Sequence, residues 1–122
     1  MDGLLAQTLL ALAAQQGLGI GIKQADDGRY RLANPALASL LGCPGADLVG
    51  RSDADLFDAS TANLLRSADH TALAQGSALT SDHRLELQGE RRDLQVLRLV
   101  TPAAATGTEP RLICSVWQDL AA

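Results

Sequence analysis

Aromatic residues are scarce in this chain: Tyr30, Phe57 and Trp117 are the only three, 2% of 122 residues. A core built mainly from Leu, Ala, Val and Ile follows, and a site that grips a planar cofactor between stacked rings is disfavoured. Cysteine is equally sparse, with Cys43 and Cys114 far apart and in neither metal-ligand nor redox spacing, so both read as reduced packing residues. Basic residues number ten against fourteen acidic ones, a net charge of -4. Polyanion binding needs clustered Lys and Arg, and Arg91-Arg92 is the one adjacent basic pair, so no nucleic-acid partner is expected. The apolar stretch from Leu4 to Ala14 is too short to cross a bilayer and lacks the cationic start and cleavage pattern of a signal peptide. No membrane partner is expected, and a cytoplasmic location is. Nucleophile elbows, phosphate-binding Gly-Lys loops and Cys/His nucleophile pairs are missing, so nothing points to an enzyme.

What is present is a folded, single-domain composition, 47% hydrophobic and 20% charged. Residues 2–16 are rich in helix formers, with Asp2 able to cap the start and Gly17 able to supply a left-handed stop. Leu5, Leu9 and Leu12 share one face of that helix and Leu4 adds apolar surface beside it, more than one docking seam needs. Leu18–Gln24 and Arg29–Ala33 flank Asp26-Asp27-Gly28, a turn sequence, and read as a hairpin. Asn34-Pro35 starts a short helix that ends at Gly42, and short helical turns follow near Ala46–Val49 and Asp53–Phe57. A longer helix runs from Asp58 or Ser60 to Gln75, with Leu65, Ala68, Ala72 and Leu73 on one face. From Leu79 to Gln88 the period becomes two, placing His83 in phase with Leu85 and Leu87. Further strands are expected over Asp93–Thr101 and Arg111–Gln118, joined by a flexible connection over Ala103–Glu109. In the last strand Leu112, Cys114 and Val116 face one side, and Ile113 and Trp117 the other.

The ordered series Asp27-Gly28-Arg29, Ala33-Asn34-Pro35-Ala36, Leu40-Leu41-Gly42, Leu48-Val49-Gly50-Arg51-Ser52, Asp55-Leu56-Phe57 and Val116-Trp117-Gln118-Asp119-Leu120 resembles a PAS domain over nearly the whole chain. The closing Asp119-Leu120 is similar to the Asp-Ile-Thr junction of many PAS domains, with Ala121 in place of Thr. The resemblance implies an α+β fold: a five-stranded antiparallel sheet with short helices on one face and the N-terminal helix covering the other. It divides the chain into a capping and dimerisation helix (1–17), the PAS domain (18–120) and the start of a linker to an output domain (121–122). It implies a sensory or regulatory input module of a bacterial signalling protein, whose output would be a histidine kinase, a diguanylate cyclase or phosphodiesterase, or a transcriptional regulator. Homodimerisation is expected through Leu4, Leu5, Leu9, Leu12, Ile113 and Trp117, with relay of the signal through Asp119. A small-molecule ligand would lie near Leu41, Phe57, Leu65, His83, Leu85, Val96 and Cys114. Two alternatives stand beside this: a ligand-free protein-docking domain, and a haem or flavin sensor. Against haem, His70 is placed towards solvent by the helix periodicity. Against flavin, the Asn-Cys-Arg-Phe type motif of the light-sensing subgroup is absent. Asp53, Asp55 and Asp58 read as helix caps and solvated termini, because the central Gly and distal Glu of a calcium loop are missing. No cofactor and no metal are expected.

Overall fold

The computed structural model describes residues 3–101 and 111–121. The expected connection over Ala103–Glu109 and Pro102 before it lie outside the described residues. Helix α1 (Gly3–Gln15) leads into a hairpin of β1 (Gly19–Gln24) and β2 (Tyr30–Ala33). Four helices follow, α2 (Pro35–Leu41), α3 (Gly45–Leu48), α4 (Asp53–Leu56) and α5 (Ala59–Gln75). The chain closes with β3 (Leu79–Leu87), β4 (Glu90–Val100) and β5 (Leu112–Asp119). All pairings are antiparallel, and the order across the sheet is β2-β1-β5-β4-β3, so the first and last strands lie side by side at its centre. This is the α+β architecture that the sequence order implied.

Local chemistry fixes the helix ends. Asn34 caps α2 by accepting the Leu37 amide at 3.0 Å, and it also binds across to β1 through Ile20 N at 2.8 Å and Leu18 O at 3.0 Å. One side chain therefore ties the helix start to the sheet. Asp58 caps α5 through the Thr61 amide at 2.8 Å. Ser52 and Asp55 form a capping box on α4. Leu87 pairs with Glu90, leaving Gln88 (φ 52) and Gly89 (φ 79) as a two-residue turn in the left-handed region. The Gln88 amide then donates to Ser39 O and Leu40 O at 2.9 and 3.1 Å, clasping the end of α2.

The core lies between the inner sheet face and α2–α5: Tyr30, Leu37, Leu48, Leu65, Leu85, Leu87, Leu94, Val96 and Trp117 form one buried cluster. Gly21 makes that packing possible, because a Cβ there would sit 2.7 Å from Leu37 Cδ2 and 2.8 Å from the Tyr30 ring. The opposite face of the sheet presents Ile20, Ile22, Leu97, Cys114 and Val116, all half-buried, with Leu99 45% exposed. Helix α1 touches β1 and buries Ala13, while Leu4, Leu5, Leu9 and Leu12 stay 69, 52, 53 and 52% exposed.

The two rows expected along β5 are present, but which of them faces the helices is corrected. Ile113 and Trp117 point into the helix-covered core at 2 and 1% exposure, and Cys114 points to the other face. Register sets this: Trp117 pairs with Gly19 and Val96, and Ser115 with Gly21 and Arg98, all inner-face positions. Ser115 between two large apolar residues disguises the inner row, although its hydroxyl is consumed there, accepting from Trp117 Nε1 at 3.0 Å and donating to Gly21 O at 3.2 Å.

Candidate functional site

Four charged side chains are buried together where the sheet meets α4 and α5. Lys23 of β1, Asp53 of α4, Asp69 of α5 and Arg98 of β4 are 3, 7, 6 and 1% exposed. Each arrives by an ordinary periodicity. Lys23 continues the inward row Gly19, Gly21; Arg98 continues Leu94, Val96; Asp69 lies one turn beyond Leu65 on the buried stripe of α5.

The Lys23 ammonium bridges the two carboxylates, 2.5 Å from Asp53 Oδ2 and 2.8 Å from Asp69 Oδ2. Arg98 Nε donates to Asp69 Oδ1 at 2.7 Å, and the Tyr30 hydroxyl to Asp53 Oδ1 at 3.2 Å. Lys23 Nζ also lies 5.2 Å from the centre of the Tyr30 ring. The chain of bonds continues outward: Arg98 donates to Ser81 Oγ at 2.7 Å, and Ser81 Oγ lies 2.8 Å from His83 Nε2. Two cations meet two anions, so the group is neutral as a whole, the condition for burying charge at tolerable cost. Burial, reinforced by the Asp53 and Asp69 charges, pushes the Tyr30 phenol well above its usual value. Burial, with the Arg98 charge, pulls His83 down.

The network borders solvent on one side. A recess of about 300 Å³ is walled by the β1–β2 turn, the start of α4, α5 and Ile113, with Asp53 and Asp69 in its lining and Arg66 and His70 among its α5 residues.

The residues expected to line a ligand pocket divide into three groups. Leu65, Leu85 and Val96 belong to the buried cluster, and Leu41 and Phe57 pack against it. His83 lies beside them on the inner face, while Cys114 is on the far side of the sheet, where burial raises its thiol pKa. None of the seven lines the recess. Asp119 Oδ2 accepts from Arg92 at 2.7 Å and Oδ1 from the Ala121 amide at 2.9 Å; that amide bond, followed by Arg92, holds its carboxyl below the usual range. Asp55 and Asp58 cap helices as expected, whereas Asp53 is a buried ion-pair partner. Among the described residues no three metal-ligating side chains gather, and no helix is long and apolar enough to cross a membrane. Lys23, Asp53, Asp69 and Arg98 were not singled out as a site from the sequence. The available signal was a Lys and an Arg each continuing an inward-facing strand row, and an Asp on a buried helix stripe.

The family described as PAS fold matches residues 14–122. Among solved structures, the PAS domain of Bordetella pertussis BvgS superposes with a TM-score of 0.70 at 18% identity, covering 95% of this chain and 86% of that one. A domain of an HTR-like protein from Haloarcula marismortui gives 0.69 at 22% identity, covering 85% and 98%. The Vibrio cholerae VqmA dimer, described as a LuxR-type receptor that binds target DNA, gives 0.75 at 19% identity, covering 93% of this chain and 51% of that one. No curated protein matches the chain in sequence.

Proposed function

The chain belongs to the PAS fold family, and on that premise we propose that it is the sensory or regulatory input module of a cytoplasmic bacterial signalling protein, acting as a homodimer on a C-terminal output domain. The observation that carries this reading is the exposed leucine surface of α1, with Leu4, Leu5, Leu9 and Leu12 each more than half exposed. Exposed apolar surface of this kind marks an interface. The outer sheet face, with Ile20, Ile22, Leu97, Leu99 and Val116, extends it. In this reading α1 (1–17) and that face form the dimer contact, residues 18–120 form the sensing body, and Asp119 relays the signal into a linker that begins at 121–122. Ile113 and Trp117 take no part in the contact, since both are buried in the core.

The Asp119–Arg92 pair supports the relay assignment. It fixes the end of β5 to β4, so a shift between those strands would be felt where the chain leaves the sheet. A signal can act here only by favouring one packing of the dimer over another.

Closure of the apolar interior by Leu65, Leu85 and Val96, and of its polar half by four ions, favours a module without haem or flavin. The output class is proposed as a kinase, a cyclic-dinucleotide enzyme or a transcriptional regulator, by family analogy.

Native mass spectrometry of the protein and of its Leu9→Glu variant tests the reading. A dimer that becomes monomeric on substitution supports it. A monomeric parent protein would remove the α1 interface and the relay with it.

A further inference from the structure

Resting on the reading of the chain as a sensory module, we propose that the recess over Asp53 and Asp69 binds a small molecule carrying a protonated primary amine, with the Lys23 ammonium as the built-in competitor. The ammonium of Lys23 is direct evidence of what this pair of carboxylates accepts, being seated 2.5 and 2.8 Å from one oxygen of each. Lys23 reaches them from β1, and both aspartates line the recess.

The carboxylates have capacity left. Each of their four oxygens carries one protein contact: Lys23 on both Oδ2 atoms, Tyr30 on Asp53 Oδ1 and Arg98 on Asp69 Oδ1. A carboxylate oxygen accepts about two hydrogen bonds, so one acceptor position per oxygen is unused by the protein. Both side chains keep 9% of their surface, and both line the recess. The surrounding charge agrees: Asp26 and Asp27 stand at the turn against the single cation Arg66, with the buried carboxylates already balanced by Lys23 and Arg98. The volume of about 300 Å³ admits a small molecule and not a large planar one. An amine needs only acceptors, whereas a metal ion needs a ligand set that the described residues do not assemble.

Occupancy has a direct route to the rest of the fold. An external ammonium shares Asp53 and Asp69 with Lys23 and Arg98, and so loosens the hold of α4 and α5 on β1 and β4. The outer faces of β1 and β4 carry Ile20, Ile22, Leu97 and Leu99, part of the surface assigned to the dimer.

The test is a two-dimensional NMR titration of the full chain with n-propylamine hydrochloride, L-alanine, tetramethylammonium chloride and magnesium chloride at matched ionic strength. Expected are saturable shifts at Asp27, Gly28, Ala54, Ala62 and His70 with n-propylamine and none with tetramethylammonium, which has charge but no N–H. Lys23→Ala should tighten the n-propylamine dissociation constant about tenfold by removing the competitor, and Asp53→Asn should weaken it by a similar factor. Tighter binding of L-alanine than of n-propylamine supports the proposal and assigns Arg66 or His70 to a carboxylate. The proposal is overturned if no amine gives saturable shifts in the parent protein, even if Lys23→Ala binds one, or if tetramethylammonium or magnesium gives the same shifts. Should Lys23→Ala not fold, the parent and Asp53→Asn titrations decide alone. Failure here leaves the dimer masses unchanged, and a monomeric parent leaves the titration readable, so the two readings fail separately.

Discussion

Replacing Asp69 by Ala should be among the most damaging single substitutions in the chain. Asp69 receives two charge-assisted bonds, from Lys23 Nζ at 2.8 Å and Arg98 Nε at 2.7 Å, and all three side chains are at least nine-tenths buried. Without it two buried cations face the one remaining anion, Asp53, and Arg98 keeps only Ser81 and a long contact to His83. Breaking a buried pair by removing one partner costs about 3–5 kcal/mol, most of it from the charge left uncompensated. With a urea m-value of about 1–3 kcal/mol per M for a domain of this size, the unfolding midpoint should fall by roughly 1–5 M. The double variant Asp69→Leu/Arg98→Met removes the pair together and should recover a large part of the loss, because a neutral apolar pair leaves one Lys with one Asp. Equilibrium urea unfolding followed by Trp117 fluorescence measures all of these. A loss below about 1 kcal/mol for Asp69→Ala, the scale of an exposed pair, would refute the buried network.

Three further outcomes follow from the same geometry. His83 has its pKa lowered by burial and by Arg98, so its folded-state pKa lies below the unfolded value of about 6.5; the associated stability is complete above that pH and is lost as pH falls through the folded pKa. His83→Gln should flatten the acid-side slope of the urea midpoint across that window. Gly21→Ala pushes a methyl to within 2.7 Å of Leu37 and 2.8 Å of the Tyr30 ring and should cost about 1–3 kcal/mol of stability by thermal or urea unfolding. Asp58→Ala removes the α5 cap and should lower the thermal unfolding midpoint, a shift that Asp58→Ser should largely reverse.

Fold and site were legible in the sequence to different degrees, for physical reasons. Caps and turns are local: Asn34-Pro35, Gly42, Asp58, Gly76 and the Asp26-Asp27-Gly28 turn each carry their signal in a few adjacent residues, and the elements start and stop close to where those residues place them. The facing of a strand is settled by its partners. In β5 the row Ile113, Ser115, Trp117 faces inward because Gly19, Gly21 and Lys23 on one side and Val96 and Arg98 on the other are the inward rows. A serine between two large apolar residues hides that phase from a hydrophobic count. The ion network is less local still, since Lys23, Asp53, Asp69 and Arg98 come from four elements spread over seventy-odd positions. Each read singly is a surface residue by type, and burial becomes tolerable only when all four meet.

That interdependence bears on what the module can transmit. Apolar packing of Leu65 against Leu85 and Val96 is non-directional and degrades gradually when elements slide. The four-ion contact is directional: a shift of α5 that lengthens Asp69–Lys23 also disturbs Asp69–Arg98, and through Arg98 and Ser81 it reaches His83 on β3. A helix held by such a contact has few intermediate positions of low energy, because each leaves a buried charge short of partners. A sheet whose central strands contribute the cations Lys23 and Arg98 on one face and a half-buried apolar surface on the other is therefore suited to turning a local change of charge into a choice between two packings.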